Sequence, residues 1–101
     1  MAAELDIRCA DNDEHRLVLS GELDTHTAPM LAERLGEVSG AADIVLDLSA
    51  TTFISSAGLS VILTEQRRLE AHGGSLIVSD PAPTVARTIE LSGLADTLGL
   101  S

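Results

Sequence analysis

Two adjacent serines, Ser55 and Ser56, have the side chains in this sequence that are best placed for chemistry. They lie between Phe53, the only aromatic residue of the chain, and Gly58. An apolar pattern of helical period begins directly after them. A serine at a helix start commonly caps it by accepting a hydrogen bond from a free backbone N–H, and a nearby glycine would let a partner approach the hydroxyl. From these residues alone, we expect Ser56 to be a helix cap. The G-x-S-x-G turn that exposes a nucleophilic serine is absent here, so a hydrolase is not predicted.

Asp24 is the second candidate, and it lies two residues before His26. An Asp between a strand and a helix ordinarily stabilises a turn or caps the helix, and this is its expected role. The one Cys and three scattered His residues lack the spacing of metal ligands. Glycine motifs that bind ATP or dinucleotides are also absent. The sequence therefore predicts no catalytic residue, no metal site and no cofactor.

Four short apolar segments, at residues 5–9, 15–20, 44–46 and 75–78, have the composition of β-strands. The first two are separated by a polar turn and predict a hairpin. Residues 47–54 are polar and turn-prone, and we expect a loop there. A helix connects the last two strands, so these strands should be parallel with a right-handed connection.

Three segments have the apolar period of a helix, and they begin near Thr27, at the two serines and at Pro83. Thr27 is the predicted N-cap of the first helix, which should end at residues 39–40. Gly93 is the predicted left-handed cap of the third, followed by a turn that buries several leucines. The sequence therefore predicts one α/β domain over residues 1–101, with a mixed β-sheet of about four strands flanked by helices.

The composition limits the classes of partner. The 16 acidic and 6 basic side chains give a net charge of −10, which is the wrong sign for a nucleic-acid-binding protein. No apolar run approaches the roughly 20 residues of a membrane helix, and the first residues do not have the pattern of a signal peptide. Cys9 is the only cysteine, so an internal disulfide is excluded. These features predict a cytoplasmic protein that does not bind a membrane.

The run from Asp47 to Leu59 resembles the STAS domain family, and in particular its free-standing anti-sigma factor antagonists. Their signature is a Phe followed by Asp-Ser-Ser/Thr-Gly-Leu at the start of a helix. In this chain the corresponding residues are Phe53-Ile54-Ser55-Ser56-Ala57-Gly58-Leu59. Ser56 aligns with the serine that the family phosphorylates, and Ser55 lies where the family usually has Asp. Residues 20–24 and 91–94 also fit, so the resemblance covers nearly the whole chain.

The resemblance implies a function as a phosphorylation-switched binding protein and not an enzyme. The unphosphorylated form would bind an anti-sigma factor that is also a serine kinase, and would thereby free a sigma factor. The kinase would use its own ATP and magnesium to phosphorylate Ser56, and a phosphatase would reverse the modification. The resemblance assigns the partner-binding role to Asp24, Thr25, Ser55, Ser56, Ala57 and Gly58. Because the usual Asp is replaced by Ser55, one alternative stays open: a STAS adaptor subunit of a transporter or signalling scaffold without a phosphorylation switch.

Overall fold

The computed structural model describes residues 5–11, 13–38 and 40–100. Their elements in chain order are β1 (Leu5–Ala10), β2 (Asp13–Leu23), α1 (Ala28–Gly36), β3 (Asp43–Ile54), α2 (Ser56–Ala71), β4 (Ser75–Ser79) and α3 (Pro83–Leu91). The sheet order is β1-β2-β3-β4. The hairpin of β1 and β2 is antiparallel, and β2, β3 and β4 are parallel. The predicted α/β class, the mixed four-stranded sheet and the parallel pairing of β3 with β4 are confirmed.

The core is built from aliphatic side chains, because the chain has almost no aromatic residues. In β2, β4 and the first part of β3, the buried residues alternate along the sequence and therefore point to one face of the sheet. The helices bury their apolar stripes against that face. The fully buried large side chains are Leu17, Leu19, Leu23, Leu31, Leu35, Ile44, Leu46, Leu48, Ile62, Leu69, Leu76 and Ile89. None of the helices that the structure describes is both long and apolar enough to cross a membrane.

Gln66 is a buried polar residue on the inner face of α2. Its Nε2 donates hydrogen bonds to the carbonyl oxygens of Leu76, at 2.9 Å, and Thr97, at 2.7 Å. The carbonyl oxygen of Leu98 in turn accepts from the Val78 N–H at 2.8 Å. The last residues therefore lie along the outer edge of β4, where Leu98 is buried, as the sequence predicted.

β3 is much longer than predicted, since residues 47–54 continue the strand instead of forming a loop. This part of the strand could not be recognised from the sequence, because its pairing with β2 is irregular at two points. Each adds one residue to β3, as the flanking pairs show: Val18 with Asp47 before Ser20 with Ala50, and Gly21 with Thr51 before Glu22 with Phe53. These β-bulges break the alternation of buried and exposed residues. The buried positions of β3 are consequently spaced by two and then by three: Ile44, Leu46, Leu48, Thr51 and Ile54.

The ends of α1 also differ from the prediction. Thr27 does occupy the N-cap position, but its side chain makes no capping hydrogen bond. Its Oγ1 instead donates to the carbonyl oxygen of Glu22 at 2.7 Å, so it joins the helix start to the end of β2. The helix ends at Gly36, a few residues earlier than expected. The predicted left-handed cap after α3 is confirmed, because Gly93 has a φ of 74°.

Arg16 links the parallel strands on the face of the sheet away from the core. Its Nη2 lies 3.1 Å from Asp47 Oδ2, 3.0 Å from Ser79 Oγ and 3.2 Å from Asp80 Oδ2. Partial burial of the Asp47 carboxyl raises its pKa, but hydrogen bonds from Ser49 and the Arg16 guanidinium outweigh that effect. The pKa of Asp47 is therefore lowered from its ordinary value of 3.8.

Asp47→Asn should lower the free energy of unfolding at pH 7, because it removes a carboxylate that is held ionised in the fold. A lowered native pKa means that the unfolded chain binds the proton first as the pH falls. The contribution of Asp47 is thus present above pH 3.8 and is lost as the pH falls below that value. Urea unfolding of both proteins between pH 7 and pH 2.5 tests this, with the exposed Glu33→Gln as the control. A difference that stays constant across this range would contradict the expected role.

Candidate functional site

The junction of β3 and α2 holds the two serines, and Ser55 is the residue that caps the helix. Its backbone is extended, and its Oγ accepts the N–H of Gly58 at 3.3 Å. The N–H of Ser55 donates to the carbonyl oxygen of Leu23 at 2.9 Å. The helix start is therefore attached to the end of the neighbouring strand β2. The expectation that Ser56 is the cap is wrong, because Ser55 has the extended conformation that an N-cap requires.

Ser56 is the first residue of α2, and it is exposed. Ser55 is half-buried, and its hydroxyl oxygen is occupied by the cap. The structure thus separates the roles of two residues that have identical side-chain chemistry. Ser56 is the more exposed of the two, and its hydroxyl takes no part in the cap.

Gly58 brings the start of α2 against β2. A Cβ at this position would lie 2.7 Å from Leu23 Cγ and 3.0 Å from the Leu23 carbonyl oxygen. Both distances are shorter than a comfortable carbon contact. The glycine is buried, so it makes room for Leu23. The expectation that it clears space for a partner at the serine hydroxyl is wrong.

Asp24 forms the turn between β2 and α1. Its Oδ1 accepts the N–H of His26 at 2.9 Å and the N–H of Thr27 at 3.0 Å. The hydrogen bond from the Thr27 N–H is the main reason that the pKa of Asp24 is lowered, against a smaller opposing effect of burial. The predicted turn-stabilising role is therefore present. All these bonds end on Oδ1, which leaves Oδ2 for contact with another molecule.

The parallel pairing of β2 and β3 brings the turn and the helix start together. Leu23 is paired with Ile54 in the sheet register, so the residues that follow these two strands lie at the same edge. The six residues assigned to partner binding therefore belong to one region: Asp24, Thr25, Ser55, Ser56, Ala57 and Gly58. Sequence reasoning missed Leu23, which accepts the Ser55 N–H and contacts Gly58. Its apolar side chain gave no sign of this role, because both contacts come from a distant segment.

The charge of this region is negative. Residues 20–27 and 49–60, which form it, contain no Lys or Arg, whereas Glu22 and Asp24 each carry a carboxylate. Glu22 is exposed. No group of three or more His, Cys, Asp or Glu within the described residues could hold a metal ion. The arrangement is therefore an acidic surface with an accessible hydroxyl, suited to contact with a protein that has basic groups.

Comparisons with known proteins identify the family that this chain resembles. The STAS domain family matches residues 7–101. An anti-sigma F factor antagonist from Paenibacillus polymyxa is 38% identical over 89 residues, which cover 81% of this chain and 76% of the relative. The anti-sigma factor antagonist SpoIIAA in its unphosphorylated form has a TM-score of 0.72 at 25% identity, covering 90% of this chain and 84% of its own.

SpoIIAA from Bacillus has also been solved in its phosphorylated form. That structure has a TM-score of 0.64 at 25% identity and covers 90% of this chain and 86% of its own. The fold and the sequence thus agree with the resemblance found in residues 47–59. The chain belongs to the STAS domain family, among the anti-sigma factor antagonists.

Proposed function

We propose that this chain frees a sigma factor by binding its anti-sigma factor, and that phosphorylation of Ser56 ends the binding. The observation that carries the proposal is the exposed Ser56 at the first residue of α2, beside the Asp24 turn. The accessible hydroxyl is the group to be modified, and the surrounding surface is the contact. The relative from Paenibacillus polymyxa is an anti-sigma F factor antagonist, and SpoIIAA is an anti-sigma factor antagonist, which supports the proposed role.

A phosphate on Ser56 would add a charge of about −1.5 to −2. At the start of α2 it would meet free backbone N–H groups and the positive end of the helix dipole, so the fold should tolerate it. At the contact with a partner, the same phosphate would have to lose its water. Burying a charge without matched hydrogen bonds is costly. The modification should therefore act on binding and leave the fold intact.

The proposed anti-sigma factor is itself the serine kinase, and a separate phosphatase restores the active form. The chain has no glycine loop with a lysine that could hold ATP phosphates, so the proposal assigns no phosphoryl transfer to the chain. In a kinase assay with labelled ATP, label should enter the chain only after the anti-sigma factor is added.

A pull-down with this chain as bait tests the proposed function. The bait is used with and without phosphatase treatment, and the retained proteins are identified by mass spectrometry. We expect the treated bait to retain an anti-sigma factor with an ATP-binding kinase domain, and the untreated bait to retain less of it. Retention of a transporter subunit or a scaffold protein that does not depend on phosphatase would instead favour the adaptor function.

Asp24 has two candidate roles, which two substitutions can separate. Asp24→Asn keeps an oxygen that can accept the N–H groups of His26 and Thr27, but it removes the charge. We expect its melting temperature to fall less than that of Asp24→Ala, because the hydrogen bonds are kept and only the favoured ionised form, shown by the lowered pKa of Asp24, is lost, while its affinity for the anti-sigma factor falls. Asp24→Ala should lower both, because the turn loses its acceptor. Thermal melts and binding titrations measure the two effects. Unchanged affinity in both variants would show that Asp24 has only the turn role.

A further inference from the structure

Phe53, the only aromatic residue, is 50% exposed although Thr51, two residues earlier in the same strand, is buried. The second β-bulge of β3 is the cause. Gly21 is paired with Thr51 and the next residue of β2, Glu22, is paired with Phe53, so Thr52 is the extra residue. In a regular strand, alternation from buried Thr51 would place Phe53, two residues further on, on the core side. The bulge instead turns the ring outward.

The bulge is held from two sides. The Thr52 Oγ1 donates to the carbonyl oxygen of Gly21 at 3.2 Å, and Thr84, at the start of α3, donates its Oγ1 to the carbonyl oxygen of Thr52 at 3.4 Å. Gly21 has a φ of 113°, a conformation that favours glycine. Two neighbouring elements, β2 and α3, thus support the conformation that exposes Phe53. Bulges are common next to functional sites, where they re-aim a side chain.

Phe53 lies within the surface that we propose binds the partner. It lies three residues before Ser56, and its pairing partner in the register is the exposed carboxylate Glu22. Other exposed large apolar residues lie elsewhere: Met30 on α1, Ile77 on β4 and Leu91 at the end of α3. An aromatic side chain beside the carboxylate of Glu22 matches a partner surface that has an apolar pocket bordered by basic side chains.

We infer that Phe53 is the apolar anchor by which this chain binds its anti-sigma factor, in a pocket bordered by Arg or Lys side chains that face Glu22 and Asp24. This inference rests on the proposed function and adds the residue that supplies most of the affinity. Aromatic anchors at the centre of an interface commonly dominate binding. A phosphate on Ser56 would lie at the border of that pocket and would interfere with desolvation of the ring.

The test measures the affinity of purified variants for the anti-sigma factor that the phosphatase-treated chain retains, after that protein has been expressed and purified. Phe53→Ala should weaken binding by at least about 30-fold, in the range of interface anchors. Phe53→Leu keeps part of the apolar volume and should lose less. Leu91→Ala is the matched control, because Leu91 is more exposed, at 75%, but lies at the end of α3; it should bind like the wild type.

Two further readouts exclude a merely structural role. The melting temperature of Phe53→Ala should stay close to that of the wild type, because the ring is half-exposed in the free chain. The dependence of affinity on salt concentration should also be unchanged, since the substitution removes an apolar contact and no charge.

Wild-type affinity of Phe53→Ala, with Ser56→Asp still failing to bind, would overturn the anchor and leave the proposed function standing. Absence of binding by the wild type itself would overturn the proposed function, and the inference with it.

Discussion

Ser56→Asp should lower the affinity of the chain for its anti-sigma factor by at least about 30-fold, since burying a charge that the partner does not pair costs on the order of 2 kcal/mol or more. Ser56→Ala should bind like the unphosphorylated wild type and should resist the kinase. The reason is the geometry of the helix start, where Ser56 is exposed and takes no part in the cap. One carboxylate has less charge than a phosphate, so true phosphorylation should weaken binding further.

Ser55→Ala is the matched control for this experiment. It removes the acceptor of the Gly58 N–H and should cost about 1 kcal/mol of stability, the usual value of an N-cap. Its phosphorylation on Ser56 should persist. The measurements are titration calorimetry for the affinities, phosphopeptide mapping for the site, and urea unfolding for stability. Phosphate mapped to Ser55, or full phosphorylation of Ser56→Ala, would contradict the assignment of Ser56 as the switch.

Amide chemical shifts provide an independent view of the same switch. On phosphorylation, the changes should concentrate in residues 52–60 and in the turn at Asp24. These segments are joined by the hydrogen bond from the Ser55 N–H to the Leu23 carbonyl oxygen. Changes spread evenly over the sheet would indicate a rearrangement of the fold instead of a local modification.

Gly58→Ala should destabilise the fold by about 1–3 kcal/mol, the usual cost of overpacking a well-packed site. The added Cβ would lie 2.7 Å from Leu23 Cγ, a side chain that is itself fully buried and has little room to move. It would also lie 3.0 Å from the Leu23 carbonyl oxygen, which belongs to the backbone of β2. Relief of these contacts requires the start of α2 to move away from β2.

Gly36→Ala is the control for Gly58→Ala, because Gly36 is also a helical glycine but its added Cβ would meet nothing within 4 Å. That substitution should be neutral or stabilising by up to about 1 kcal/mol, as alanine favours the helix. Urea unfolding of the two variants gives the comparison. Equal stabilities would show that the Leu23 contact does not hold the helix in place. If the contact does hold it, Gly58→Ala should also weaken binding of the anti-sigma factor.

Local features of the sequence determined the main secondary-structure elements and the family of this protein. The apolar periods predicted the helices and the β1–β2 hairpin, because each period reports directly which face of an element is buried. The long helical connection between residues 44–46 and 75–78 required parallel strands. The motif from Phe53 to Leu59 indicated the family, and it placed Ser56 in the position of a phosphorylated serine. The assignment of the modification to Ser56 remains a prediction.

Other features were decided only by the tertiary structure, because they depend on contacts between distant residues. The strand nature of residues 47–54 was hidden by two bulges, which exist only in the pairing of β3 with β2. The sequence predicted that Thr27 caps α1, but its hydroxyl donates a hydrogen bond to the carbonyl oxygen of Glu22 instead. The division of roles between Ser55 and Ser56 follows from where the strand ends and the helix begins. The need for glycine at position 58 comes from Leu23, 35 positions earlier in the chain. A local pattern cannot predict such contacts, because the partner atom is brought to the site only when the sheet has formed.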